Sequence, residues 1–308
     1  MSRPIEHHYA TLNGFRAHYA SCGNPDNPLL LCLHGFPESW MAWRGVMPAL
    51  AEQYYVVAPD TRGINESEGP GEVAGYTTGH LASDVEALLD HLGARDCVLA
   101  GHDWGGAIAC AFAVAYPERL RGLVIVNSTH PGVFVRELIG NSAQRAASAY
   151  ISTFLRDDAE TMLRANDFAA LRAGMGQDFR TGTSPTWFDA PMQAEYQRSW
   201  SKPGSLRAGL SYYRGTQWQP ESDARNEDLV QRRYVDDACK PIHVPTLAIW
   251  GEQDRFLLDG CVEGLHRFIP DLRIERIPEG SHWVIHEHGP RVAQRMSHFI
   301  DGIPPLAP

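Results

Sequence analysis

The stretch Cys97-Val98-Leu99-Ala100-Gly101-His102-Asp103-Trp104-Gly105-Gly106-Ala107 decides the fold. Its apolar first half reads as a buried strand, and the strand runs directly into Gly-x-Asp-x-Gly-Gly. An alanine-rich apolar segment of helical character follows, from Ala107 to Tyr116. Strand, tight turn and helix in that order lift the central side chain above the end of a sheet. The flanking residues must be small, because a Cβ at Gly101 or Gly105 would crowd the turn. The central residue is Asp103. A carboxylate placed there can displace a leaving group from saturated carbon, making an alkyl ester of the protein that water must then hydrolyse. A glycine-bounded turn without chemistry is the plainer alternative, and the rest of the chain decides between the two.

The same strand, turn and helix form the nucleophile elbow of the α/β-hydrolases, where the central residue is usually serine. Upstream, Asn13-Gly14 between alternating segments marks a hairpin over residues 7–20. Leu29 to Leu33 is apolar throughout, as in a strand covered on both faces. It ends in His34-Gly35-Phe36-Pro37-Glu38-Ser39, the loop that faces the elbow in such a sheet. The backbone N–H groups of Phe36 and Trp104 are assigned to an oxyanion hole, with Pro37 as a candidate cis residue. His34, Asp60 and Arg62 read as loop braces rather than catalytic groups. Further strands are expected at Tyr54–Ala58, Leu120–Val126, Val244–Trp250 and Leu272–Ile277. Helices are expected at Leu81–Leu92 and Pro290–Ile300. Strands alternating with helices imply a mostly parallel, doubly wound sheet.

From about Gly132 this rhythm breaks. No long apolar β run occurs before residue 240, but Asn141–Leu155 and Asp189–Trp200 read as helices, the second with Asp189 as N-cap and Pro191 in its first turn. The expected organisation is an α/β-hydrolase fold: core at residues 1–132 and 241–308, with an inserted helical lid at 133–240.

Composition narrows the class. The 308 residues carry a formal net charge of −10, with no Lys/Arg run, which argues against nucleic acid as a partner. No apolar run approaches membrane-spanning length, and Met1–Tyr9 is polar, unlike a signal peptide. The six cysteines lack C-x-x-C spacing and suit free thiols of a reducing, cytoplasmic compartment. The sequence leaves a homodimer open.

The chain order nucleophile, acid, histidine suits the fold as Asp103, Asp254 and His282, each just beyond a strand. His282 would activate water and Asp254 would orient the imidazole. Glu252, two residues away, is the rival acid; Asn127 carries no charge and competes poorly. His282, His286 and His288 point in different directions on most backbones, so no metal site is expected. No cofactor is expected either.

On these motifs the chain resembles the epoxide hydrolases of the α/β-hydrolase superfamily over nearly its whole length. The matching stretches are His34–Ser39, Gly101–Gly106, Gly251–Asp254 and Ser281–Trp283, with Arg145–Tyr150 and Ser199–Arg214 in the lid. The resemblance implies an epoxide and water as substrates and a vicinal diol as product. It also implies that Tyr150 and Tyr213 hydrogen-bond the epoxide oxygen and protonate the alkoxide, with Tyr212 as the alternative register. Phe36, Trp104 and Trp187 are assigned to the substrate surface; Phe168 and Phe179 are either pocket walls or lid core. Two departures stand out. Relatives often have Arg-Gly-Tyr-Gly-x-Ser where this chain has Arg62-Gly63-Ile64-Asn65-Glu66-Ser67, and the segment after Tyr150 is shorter and more polar than usual.

Two other readings use the same frame. A dehalogenase shares the nucleophile and base. However, haloalkane dehalogenases typically carry Asn or Glu where Phe36 stands, and haloacetate dehalogenases carry arginines just after the nucleophile, where Trp104 to Cys110 offers none. A non-catalytic binding protein would not need an intact Asp/His/Asp set.

Overall fold

The computed structural model describes residues 4–177, 180–216 and 240–303. Among them, eight strands form one sheet in the order β1-β2-β4-β3-β5-β6-β7-β8. They are β1 (Glu6–Leu12), β2 (Phe15–Cys22), β3 (Leu29–Leu33), β4 (Tyr55–Pro59), β5 (Cys97–His102), β6 (Leu120–Val126), β7 (Thr246–Gly251) and β8 (Leu272–Ile277). The Asn13-Gly14 turn, with both residues at positive φ, joins β1 to β2 in the antiparallel hairpin that its sequence predicts. From β4 to β8 every pairing is parallel.

Strand order reverses at β3, which has β4 on one side and β5 on the other. A crevice opens at such a reversal beyond the carboxyl ends of the strands, and ligands bind there in open α/β sheets. The register brings the strand ends level: Leu33 pairs with Gly101, Gly101 with Ile125, Val126 with Ile249 and Gly251 with Ile277. Whatever follows β3, β5, β6, β7 and β8 therefore meets along one edge.

Helices cover both faces. Helices α2 (Thr78–His91) and α3 (Trp104–Ala115) pack together on one face. The short α1 (Met47–Leu50) and the C-terminal helix Gly289–Asp301 pack together on the other. The C-terminal helix buries Val292, Ala293, Met296, Phe299 and Ile300, the stripe that a 3.6-residue period puts on one side. Each large side chain removed from water there contributes about 1.5–3 kcal/mol.

Between β6 and β7 lie α4 (Pro131–Gly140), α5 (Ser142–Ala147), α6 (Tyr150–Phe154), α7 (Ala159–Gly174), α8 (Ala190–Ser201) and α9 (Ser205–Thr216). Residues 217–239 of the expected lid, and Phe179, lie outside the described residues. Helix α8 begins as its sequence predicts: Asp189 accepts the Met192 N–H at 2.9 Å, with proline in the first turn. The single helix expected over Asn141–Leu155 is instead two, α5 and α6. Asn141 caps the first through the N–H groups of Ala143 and Gln144, and Ser148 ends it. Gln144 then ties this break to the β7 side of the site, donating to Ser148 Oγ at 2.9 Å and to the Phe256 carbonyl at 2.7 Å. Helix α7 is also interrupted. Asn166, Asp167 and Phe168 adopt left-handed φ values of 50°, 56° and 58°, folding its two halves around a cavity.

Candidate active site

Asp103 follows β5 at φ 51° and ψ −119°, and α3 starts at the next residue rather than at Ala107. Backbone in this region costs about 1–3 kcal/mol for a non-glycine residue. Surrounding bonds hold it: the Asp103 carbonyl accepts from Gly106 N–H at 3.0 Å and from Ser128 Oγ at 2.7 Å. A Cβ on Gly35 would overlap the Asp103 side chain, and one on Gly105 would strike the Leu33 carbonyl. Both glycines are thus required by close approach.

The Phe36 N–H donates to Asp103 Oδ1 at 2.9 Å, and the Phe36–Pro37 bond is cis. Trp104 occupies the first position of α3, directly after Asp103. The other carboxylate oxygen faces the histidine: His282 Nε2 lies 3.6 Å from Asp103 Oδ2. His282 Nδ1 lies 2.7 Å from Asp254 Oδ2. Burial alone would lower the His282 pKa, but the charges of Asp254 and Asp103 outweigh it and raise it to about 10. Burial likewise opposes ionisation of Asp254, yet His282 and the hydrogen bonds it receives hold its carboxyl below the usual range. Glu252, the rival acid, instead pairs with Arg276 at 3.3 Å near the surface.

The two tyrosines approach from the helices between β6 and β7. Tyr150 heads α6 and Tyr213 lies within α9, their ring centroids 6.2 Å apart, and both line the cavities that contain Asp103. Burial, together with the nearby Asp103 charge, pushes both phenols above their ordinary pKa and keeps them protonated. Tyr212 faces elsewhere, donating to Thr61 Oγ1 at 2.7 Å and to the Arg62 carbonyl at 3.0 Å.

Several residues take structural places. His34 Nδ1 bonds the Gly35 carbonyl at 2.8 Å, and its Nε2 accepts the Thr61 N–H at 3.0 Å. Asp60 accepts from His18, Trp40 and Asn65, and Arg62 pairs with Asp84. Asn65 has φ 49°, the left-handed position that its replacement of glycine anticipates. Phe168 packs on Trp200, with ring centroids 5.6 Å apart. Trp187, expected at the substrate surface, is not among the residues lining the two cavities at Asp103; its ring stacks on His286, 4.3 Å between centroids and 9° from parallel.

That stack covers a network that sequence reasoning missed. Glu38, fully buried, accepts from Tyr196 Oη at 2.9 Å and contacts His286 Nε2 at 2.6 Å and His102 Nδ1 at 2.8 Å. Burial alone would push the Glu38 carboxyl up, but His286 and His102 hold it well below the usual range. His102 Nε2 in turn faces the His282 carbonyl at 2.9 Å, so both its ring nitrogens meet oxygen atoms. The loop carrying the base is thereby tied to the residue preceding Asp103. Asn127 was also underrated. It has φ 38°, donates to Asp254 Oδ2 at 2.8 Å, and exchanges bonds with the backbone of Gly251. Its signal was its position immediately after β6. Among the described residues no His/Cys/Asp/Glu group suits a metal ion.

A family model described as alpha/beta hydrolase fold matches residues 28–289, and the chain belongs to that family. Within it, mouse epoxide hydrolase 4 is 34% identical over 286 residues, spanning 88% of this chain and 72% of the relative. The AB hydrolase superfamily protein YfhM of Bacillus subtilis is 32% identical over 294 residues, covering 95% and 96% of the two chains. Among solved structures, a Bacillus megaterium epoxide hydrolase in complex with an inhibitor superposes with a TM-score of 0.85. It is 31% identical and covers 96% of this chain and all of its own.

Proposed function

We propose that the protein is an epoxide hydrolase, converting an epoxide and water to a vicinal diol through an alkyl ester on Asp103. The observation that carries this reading is a carboxylate with His282–Asp254 at one oxygen and two protonated phenols lining the same cavity. The relatives' names point the same way.

Asp103 Oδ1 is held by Phe36 N–H, so Oδ2 is the oxygen that attacks. The new C–O bond forms as the epoxide C–O bond breaks. The electron pair moves to the epoxide oxygen, which takes a proton from Tyr150 or Tyr213. Esterification removes the Asp103 charge, one of the two charges that raise His282. The imidazolium then gives its proton to the phenolate and becomes a base. It deprotonates water, which attacks Cγ of the ester. Negative charge collects on Oδ1, where Phe36 N–H, joined by the N–H of Trp104, receives it. Collapse breaks the Cγ–O bond, the departing alkoxide takes the carboxyl proton, and Asp103 and imidazolium His282 return. Atoms and charges close over the cycle with no cofactor.

The helices between β6 and β7 serve as a lid over this site, on a core of residues 1–132 and 241–308. Five described cysteines are free and buried, which supports a reducing, cytoplasmic setting. Among the described residues no helix is long and apolar enough to cross a membrane.

Intact-protein mass spectrometry of His282→Gln tests the reaction, using epoxides and, separately, haloacetates and haloalkanes. An ester should accumulate with epoxides and vanish when Asp103→Ala is added. Adducts with halogenated compounds alone would assign dehalogenation instead, and none with any compound would favour a binding role.

A further inference from the structure

Two cavities of unequal size flank the reactive carboxylate. Asp103, Tyr150 and Tyr213 line both. The larger, about 300 Å³, extends under α7 past Phe154, Leu163, Leu171, Phe256 and Trp283. Met162 stands at its rim with 43% of its surface exposed. The smaller, about 40 Å³, lies towards β6 and α4 and is lined on its apolar side by Ile151, Phe134 and Leu257. An epoxide carbon held at Asp103 Oδ2, with its oxygen at the tyrosines, must send its substituents into these two spaces. The larger is of a size that takes an aryl or medium alkyl group. The smaller has room for a few water-sized atoms and no ring.

From this asymmetry, and resting on the epoxide hydrolase reading, we propose that the substrates are epoxides with one bulky apolar substituent. The other ring carbon carries hydrogen or at most a small group such as methyl. Among the described residues lining the larger cavity, Asp103 and His282 supply the only charges, and both are engaged in the proposed reaction. The bulky substituent is therefore uncharged. Phe134 and Ile151 set the limit on the small side. The two halves of α7, folded back at Asn166–Phe168, shape the large side through Leu163 and Leu171.

The test compares kcat/KM for styrene oxide, trans-β-methylstyrene oxide and trans-stilbene oxide, which place hydrogen, methyl and phenyl on the second carbon. Styrene oxide and its methyl homologue should fall within about tenfold of each other. Stilbene oxide should be lower by on the order of a hundredfold or more, as expected for a group that a packed pocket cannot admit. Ile151→Ala should raise the stilbene oxide value at least roughly tenfold relative to styrene oxide; Phe134→Ala serves the same purpose if that variant does not fold. Stilbene oxide turned over as well as styrene oxide by the wild-type protein would overturn the shape proposal and leave epoxide hydrolysis standing. Diol from none of the three would overturn both.

Discussion

The imidazole of His282 faces Asp103 at the carboxylate oxygen that Phe36 does not hold, with Nε2 3.6 Å from Oδ2 and Phe36 N–H 2.9 Å from Oδ1. The two oxygens of one side chain thus have separate duties. On the proposed mechanism, Oδ2 is transferred to the substrate, and Oδ1 stays to become the carbonyl oxygen of the ester.

Isotopic labelling follows from that division. In a single turnover with enzyme in excess in H₂¹⁸O, the first diol should carry no label. The heavy oxygen should appear in the peptide containing Asp103. Label in the first diol would mean that water attacks the epoxide directly, which would sink the ester mechanism.

Tyr150→Phe and Tyr213→Phe should each slow ester formation by roughly tenfold to a hundredfold, and the double variant by more, because proton donation to the alkoxide is lost. Ester hydrolysis should change little. Stopped-flow Trp fluorescence can separate the two phases, since Trp104 lies 4.9 Å from the Tyr213 ring. A variant defective only in the second phase would remove the tyrosines from the first.

Stability should depend on pH through His282. Its pKa rises from 6.5 to about 10 on folding, so the folded state binds the proton more tightly than the unfolded chain. The stabilisation is fully present below about pH 6.5 and is lost as pH rises through about 10. Denaturant titrations should therefore find the wild-type protein's advantage over His282→Gln shrinking between those limits. A constant advantage would contradict the shifted pKa.

Glu38→Gln removes the buried carboxylate that the His102 and His286 rings both contact. The expected loss is about 3 kcal/mol, typical of breaking a buried pair on one side, and urea unfolding would measure it. Unchanged stability would mean that the network is neutral in the native protein.

The frame of the fold was legible because short apolar runs such as Leu29–Leu33 and Cys97–Ala100, bounded by turn residues, suit strands covered on both faces. The elbow was legible because few residues tolerate its backbone. Tyr213 could not be separated from Tyr212 by spacing, since both rings are buried on α9; their partners alone distinguish them. Glu38 sits in a polar loop, where a charged residue ordinarily faces solvent, and its burial depends on histidines 64 and 248 positions away. Asn127 was passed over as uncharged, although orienting the acid needs an amide donor rather than another charge. Local sequence reports what one segment wants. It does not report which distant segment will satisfy it.

The hydrogen bond from Phe36 to Asp103 also bears on chemoselectivity. That amide is occupied by Asp103 Oδ1, and on the proposed mechanism it turns to charge stabilisation only after Asp103 is alkylated. A carboxylic ester or amide entering the cavity meets a carboxylate at the elbow position, and the Phe36 N–H is already engaged by that carboxylate. On the proposed mechanism, the order of events is thus set by which oxygen of Asp103 the Phe36 amide holds.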